Sequence, residues 1–145
     1  MKTTFLTLVA ALLLAGAAHA QKVKVAQVPA AAVATFNQTF PTVKTVQWEK
    51  EDADFEAGFT LGKTEMSAVI TAAGVLKETE TEMKVSQLPA QVQKALATNY
   101  KAYKIIEAAK IVTAATGSTT YEAEVGQGGK KRDVLFNADG TEVKK

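Results

Sequence analysis

Chemistry in this chain has to come from carboxylates, amines, hydroxyls and phenols, and the densest group of candidates is Glu49, Glu51, Asp52 and Asp54. A pair of carboxyls performs general acid and base catalysis when its surroundings raise one pKa over the other. These four fall between two expected strands, where an exposed turn keeps every group solvated, so a solvated turn is expected rather than a catalytic pair. Asn137-Ala138-Asp139-Gly140-Thr141-Glu142 has some of the residues of a calcium loop. An EF-hand needs an acid two residues before Asn137, where Leu135 stands, and a bidentate Glu beyond the last residue, so a hairpin turn is expected and no metal site. Lys130-Lys131-Arg132 reads as a charged sheet edge that discourages strand-to-strand association. After residue 20 the serines are Ser67, Ser86 and Ser118, and none lies in a Gly-x-Ser-x-Gly or Ser-x-x-Lys arrangement. No catalytic residue and no cofactor is expected.

Aromatic side chains offer a different function. Trp48 is the single tryptophan. On an alternating strand it falls either under a helix, as large aromatics do in cores, or on an open sheet face, where Trp and Tyr anchor protein interfaces. Tyr103 and Tyr121 are open to the same two readings, and these three are the candidate protein-binding residues.

The 145 residues include 17 Lys plus Arg, 15 Asp plus Glu, one His and no Cys. Lys2, a mostly apolar run from Phe5 to Ala18 and Ala18-His19-Ala20 form the tripartite pattern of a signal peptide over residues 1–20, with cleavage expected after Ala20. The apolar run is too short for a spanning helix, which needs about 20 residues. Removal of Lys2 and His19 leaves 16 basic and 15 acidic side chains, a net charge of +1 and no histidine. With neither imidazole nor thiol, the usual general base, cysteine nucleophiles, common zinc and copper ligand sets and disulfides are excluded. A charge so near zero argues against nucleic acid as a partner, and no stable membrane insertion is expected after cleavage. The expected location is periplasmic or secreted.

The elements that position these residues are written twice. KVKVAQVPA from Lys22 and EMKVSQLPA from Glu82 match at Lys24/Lys84, Val25/Val85, Gln27/Gln87, Pro29/Pro89 and Ala30/Ala90, an offset of 60. The offset becomes 66 where Phe55-Glu56-Ala57 aligns with Tyr121-Glu122-Ala123, and Gly74 with Gly140. The extra residues fall around Thr113 to Thr119, a longer hairpin loop. In each copy a proline suits the start of a helix. Val33, Phe36 and Phe40, and then Val92, Ala95, Leu96 and Tyr100, recur at helical spacing, with Pro41 ending the first helix. Three alternating strands follow, near 43–50, 54–61 and 65–71 in the first copy, and a fourth runs over 75–85.

The expected fold is α+β: a tandem α-β-β-β repeat, about 22–81 and 82–145, in one domain over 21–145. It forms one antiparallel sheet of six to eight strands with both helices on one face and a shared core. VPAAAVATFNQTFPTVKTVQWEKEDADFEAGF and LPAQVQKALATNYKAYKIIEA, each followed by a hairpin and a closing AG or DG turn, resemble the PepSY-like, beta-lactamase-inhibitor-like domain of secreted bacterial proteins. The resemblance runs from about Val23 to Val143 and implies an extracytoplasmic α+β module. It also implies binding of another protein, such as a secreted or periplasmic enzyme, in the manner of an inhibitor, and not catalysis. The alternative is a carrier that holds a small apolar or peptide ligand between helices and sheet.

Overall fold

The computed structural model describes residues 21–144. The signal peptide expected over residues 1–20 and its cleavage after Ala20 lie outside them. The elements are β1 (Gln21–Val23), α1 (Ala30–Thr39), β2 (Val46–Glu51), β3 (Asp54–Leu61), β4 (Thr64–Thr71), β5 (Leu76–Met83), α2 (Ala90–Asn99), β6 (Lys104–Thr113), β7 (Thr119–Gln127) and β8 (Lys130–Phe136). All eight strands pair antiparallel, each with its neighbour in sequence, in the order β1 to β8. The α+β fold is therefore as expected, at the upper end of the strand range.

The local grammar of the two halves matches bond for bond. Short 3-10 turns at Val25–Gln27 and Val85–Gln87 precede the helices, and in each the lysine N–H, of Lys24 or Lys84, donates to the side chain of Gln27 or Gln87 at 3.0 Å. Pro29 and Pro89, with φ −54° and −51°, stand at the N-caps, where a missing N–H leaves no bond unmade. Pro41 follows α1, yet α2 stops at the matching residue with no proline after it. What the two helix ends share is an aromatic cap: Phe40 and Tyr100 each donate their N–H to the residue four back, Phe36 at 2.8 Å and Leu96 at 2.9 Å.

Two elements differ from the expected pattern. β1 was not expected, because three residues, two of them polar, carry too little alternation to be read as a strand. Its place in the first half is held in the second by the end of β5, a strand that pairs with β4 as well as with β6 and so joins the two halves.

The helices cover one face, and beneath them the buried apolar residues form two clusters rather than the single shared core expected from the sequence. The first joins Ala32 and Phe36 of α1 to Trp48, Phe55, Ala57, Phe59, Ala68 and Ile70. The second joins Val92 and Leu96 of α2, with Leu88 and Tyr100 beside it, to Ala108, Ala123, Val125, Val134 and Phe136. The register sets Thr79 of β5 between Ala68 and Val112, and Thr81 between Met66 and Lys110. Those threonines interrupt the apolar stripe, so each helix packs its own part of a continuous sheet.

The turns at Gly74 and Gly140, both with φ +85°, are tucked under the helices: a Cβ on Gly74 would lie 2.8 Å from the Ala31 carbonyl oxygen, and one on Gly140 only 2.6 Å from that of Gln91. Backbone approach that close, in a left-handed conformation, requires glycine.

Candidate functional site: an acidic sheet face

The second face of the sheet carries no described helix, and its side chains follow from period-two alternation. With Trp48, Ala57, Ala68, Ala108, Ala123 and Val134 pointing at the helices, the intervening residues point away. On β5 these are Glu78, Glu80 and Glu82. Flanking strands add Glu49 and Glu51 from β2, Glu56 from β3, Glu107 from β6, Glu122 and Glu124 from β7 and Asp133 from β8. The register sets like charges against each other: Glu49 opposite Glu56, Glu107 opposite Glu124, and Glu124 opposite Asp133. Directly opposed like charges destabilise a ladder.

Although no described helix covers this face, its centre is shielded. Glu80 is 3 % exposed, Glu122 4 % and Glu56 5 %, and Ser67, Ala109 and Ile111 among them are buried too. Neither oxygen of Glu80 meets a hydrogen-bond partner. Burial and then the carboxylates of Glu122, Glu56, Glu78 and Asp133 push its pKa up to about 9. Glu56 is pushed up to about 8, by burial first and Glu51 second, with the Ser67 hydroxyl working the other way. Burial also raises Glu51, with Glu49 and Asp52 adding to it, and raises Glu107, with Glu124 and Glu82 adding and Lys131 opposing. The face therefore holds two carboxyls, Glu56 and Glu80, that keep a proton near neutral pH among many other acids. Ion pairs lie towards its margins: Lys77 reaches Asp54 at 2.7 Å and Lys131 reaches Glu124 at 2.8 Å.

The four acids Glu49, Glu51, Asp52 and Asp54 are thus not a loose turn. Glu49 and Glu51 belong to β2 and to this face, Asp54 pairs with Lys77, and Asp52 makes the tight turn at φ +50°. The expected hairpin at 137–140 is present, and Asp139 accepts the Thr141 N–H at 2.9 Å, which lowers its pKa. Among the described residues no three His, Cys, Asp or Glu are placed to hold a metal ion.

The candidate aromatics Trp48, Tyr103 and Tyr121 are not brought together, and none stands on the open face. Trp48 is 3 % exposed in the first core, edge-on to Phe36 with ring centres 5.5 Å apart. Tyr103 and Tyr121 are half-buried against the second core, and the Arg132 guanidinium lies 5.3 Å from the Tyr100 ring centre and 5.5 Å from that of Tyr103. The reason is one of phase: Trp48 alternates with Gln47 and Glu49, and an apolar ring placed opposite Ala57 belongs under α1. The residues that sequence reasoning missed are Glu56, Glu80 and Glu122. Their signal was present as ETETE in β5 and YEAEV in β7, and it emerges once the phases of neighbouring strands are added together.

Comparison with known proteins agrees with this architecture. One family model, described as "Putative beta-lactamase-inhibitor-like, PepSY-like", matches twice, over residues 16–77 and 59–143. Among the curated proteins none matches the chain. Three solved structures from Bacteroides share the fold. A protein of B. eggerthii titled as one of the "putative periplasmic proteins" has a TM-score of 0.71 at 17% identity, over 80% of this chain and 86% of its own. A DUF2874 family protein of B. uniformis gives 0.71 at 18% over the same shares, and a BLIP-like protein of B. fragilis gives 0.63 at 22%, over 79% and 82%. With the family model matched along nearly all of the described residues, and the sheet-and-helix plan common to these structures, the chain belongs to the PepSY-like, beta-lactamase-inhibitor-like family.

Proposed function

We propose that this protein is an extracytoplasmic, non-enzymatic binding module that engages another protein with the open face of its sheet. The observation that carries the reading is the contrast in purpose between the faces. One is packed for stability; the other keeps like charges opposed and Glu80 buried with no partner, a cost retained where a surface is shaped for recognition. The inhibitor-like family description supports it, as does the likeness to a structure titled as periplasmic. An enzyme of the cell envelope, such as a peptidase, is the class of partner that this description favours.

Between helices and sheet, Phe36, Phe59, Phe136, Ile70, Val92 and Val125 are fully buried. A small apolar ligand would be left with surface grooves, such as that of about 410 Å³ beside α2 lined by Leu96, Tyr100, Tyr103 and Ile105.

The test is capture from secreted and periplasmic fractions with the native protein, with Glu65→Lys/Glu82→Lys, of which Glu65 stands on β4 in phase with Ser67 and so on the open face, and with Lys94→Glu on α2. Retention of one protein by the native form and by Lys94→Glu, but not by the double reversal, is expected. Retention that depends on Lys94 instead, or no retention at micromolar concentration, overturns the reading.

A further inference from the structure

Glu80 lies on β5, with four strands on one side of it and three on the other. It is 3 % exposed, and both carboxyl oxygens lack a hydrogen-bond partner. Buried polar atoms in proteins nearly always have one, and a carboxyl buried without it is costly enough to need a reason. The groups facing it explain why the chain does not supply one. They are Glu78 and Glu82 on its own strand, Glu56 from β3, Ser67 from β4, Glu122 from β7 and Asp133 from β8, with apolar Ile111 directly opposite on β6. Carboxyls and one hydroxyl, that of Ser67, surround it without bonding to it, and no cationic side chain is among them.

We propose that Glu80, with Glu56 and Glu122 on either side, is the receptor for an arginine or lysine side chain presented by a partner protein that docks on the open face. The inference rests on the protein-binding reading above and names the chemistry of the partner. A guanidinium brings several N–H donors in one plane and can satisfy both oxygens of a carboxylate at once. It would also relieve the repulsion among the surrounding acids. A small metal ion fits less well, because among the described residues no three acidic side chains converge on one point. Instead, acids recur at every second residue of β5, and Glu56 on β3 and Glu122 on β7 lie two strands to either side, about 10 Å away across the ladder. Several basic side chains on one protein surface match that spacing.

Docking has a proton balance. Near neutral pH Glu80 holds its proton, because burial and the neighbouring carboxylates disfavour the charged form. When an alkylammonium or guanidinium docks, the Glu80 O–H bond breaks, the proton passes to buffer, and the carboxylate remains paired with the cation. Binding near pH 7 therefore releases protons, and affinity rises with pH towards the pKa of the free site.

The experiment titrates the purified protein with a short peptide alternating arginine and serine, a glutamate counterpart, spermidine and calcium, by calorimetry in buffers of different ionisation heat. The arginine peptide is expected to bind at low salt and to weaken by about tenfold or more in half-molar salt. Protons should be released, and Glu80→Gln, which keeps the size and neutrality of the buried acid, should lose about tenfold in affinity and most of that release. Circular dichroism checks that the variant is folded, and Glu122→Gln gives a second, smaller loss. Equal binding of the glutamate peptide, or affinity and proton release unchanged in Glu80→Gln, overturns the proposal. So does binding confined to spermidine or calcium. If capture retains a protein through the open face while the arginine peptide fails to bind, the cationic chemistry falls and the binding module stands. If the peptide binds and capture retains nothing, the cation site stands and the protein partner falls.

Discussion

The helix-covered face of the sheet buries Phe36, Trp48, Phe59, Val125 and Phe136, while the open face buries Glu56, Glu80 and Glu122 to the same degree. Equal burial thus has opposite energetic meaning on the two sides of one set of strands. On the first side each side chain leaves water for close-packed apolar contact, worth roughly 1.5–3 kcal/mol for a large residue. On the second, carboxyls leave water for the company of other carboxyls, and two of them stay protonated to do so. The strands are the same, so the difference lies wholly in which alternate residue is acidic. It teaches that most of the apolar core lies on the helix side, so the other side can carry acids that do not stabilise the fold.

The largest break in this comparison is expected from Phe36→Ala. Phe36 is 1 % exposed and touches Phe40, Trp48 and Phe59 at ring-centre distances of 5.1 to 5.5 Å, so its loss should destabilise by about 3–5 kcal/mol in urea unfolding. Next comes Gly140→Ala, at about 2 kcal/mol, because the positive φ is compounded by a Cβ 2.6 Å from the Gln91 carbonyl oxygen. Gly62→Ala isolates the first of those terms: φ is +66° but nothing lies within 4 Å, so about 1 kcal/mol is expected, and an equal loss at both glycines would remove the packing argument.

On the open face the sign reverses, and Glu80→Gln should leave stability unchanged or raise it by about 1 kcal/mol. Glu80 and Glu56 hold their protons more tightly when folded, at about 9 and about 8, than at the ordinary 4.5 of the unfolded chain. Their contribution is whole below about pH 4.5 and is lost as pH rises through 8 and 9. The native protein should therefore melt at a lower temperature at pH 9 than at pH 5.5, with a flatter profile in Glu80→Gln; a profile rising across that window would contradict the burial of these acids. A loss as small as that of Gly62→Ala is expected from Thr35→Val, which removes the hydroxyl that donates to the Gly74 carbonyl at 2.6 Å and should lower stability by about 1 kcal/mol.

The repeat carried most of the legible architecture. Identities at Pro29/Pro89 and Gly74/Gly140 mark helix starts and tucked turns because each has a steric reason that survives without context. Trp48 was open to either face because alternation gives two phases and does not say which one the helix covers. β1 went unread, being three residues that gain their pairing from β2. The acidic face was hidden by an overall charge near zero, since many of the balancing lysines, such as Lys24, Lys84 and Lys94, lie in the turns and helices of the other side. The depth of Glu80 depends on how eight strands gather around it, which is a property of the whole sheet and of no single segment.

The order of the strands bears on how the molecule comes to exist. Because every strand pairs with the one made just before it, no stretch of chain has to wait for a distant partner, and loop-closure entropy is met in small steps. A polypeptide emerging end first could lay down its sheet in the order of its emergence. Each new hairpin would cover the exposed edge left by the last, so the edge most prone to sticking to other chains is short-lived.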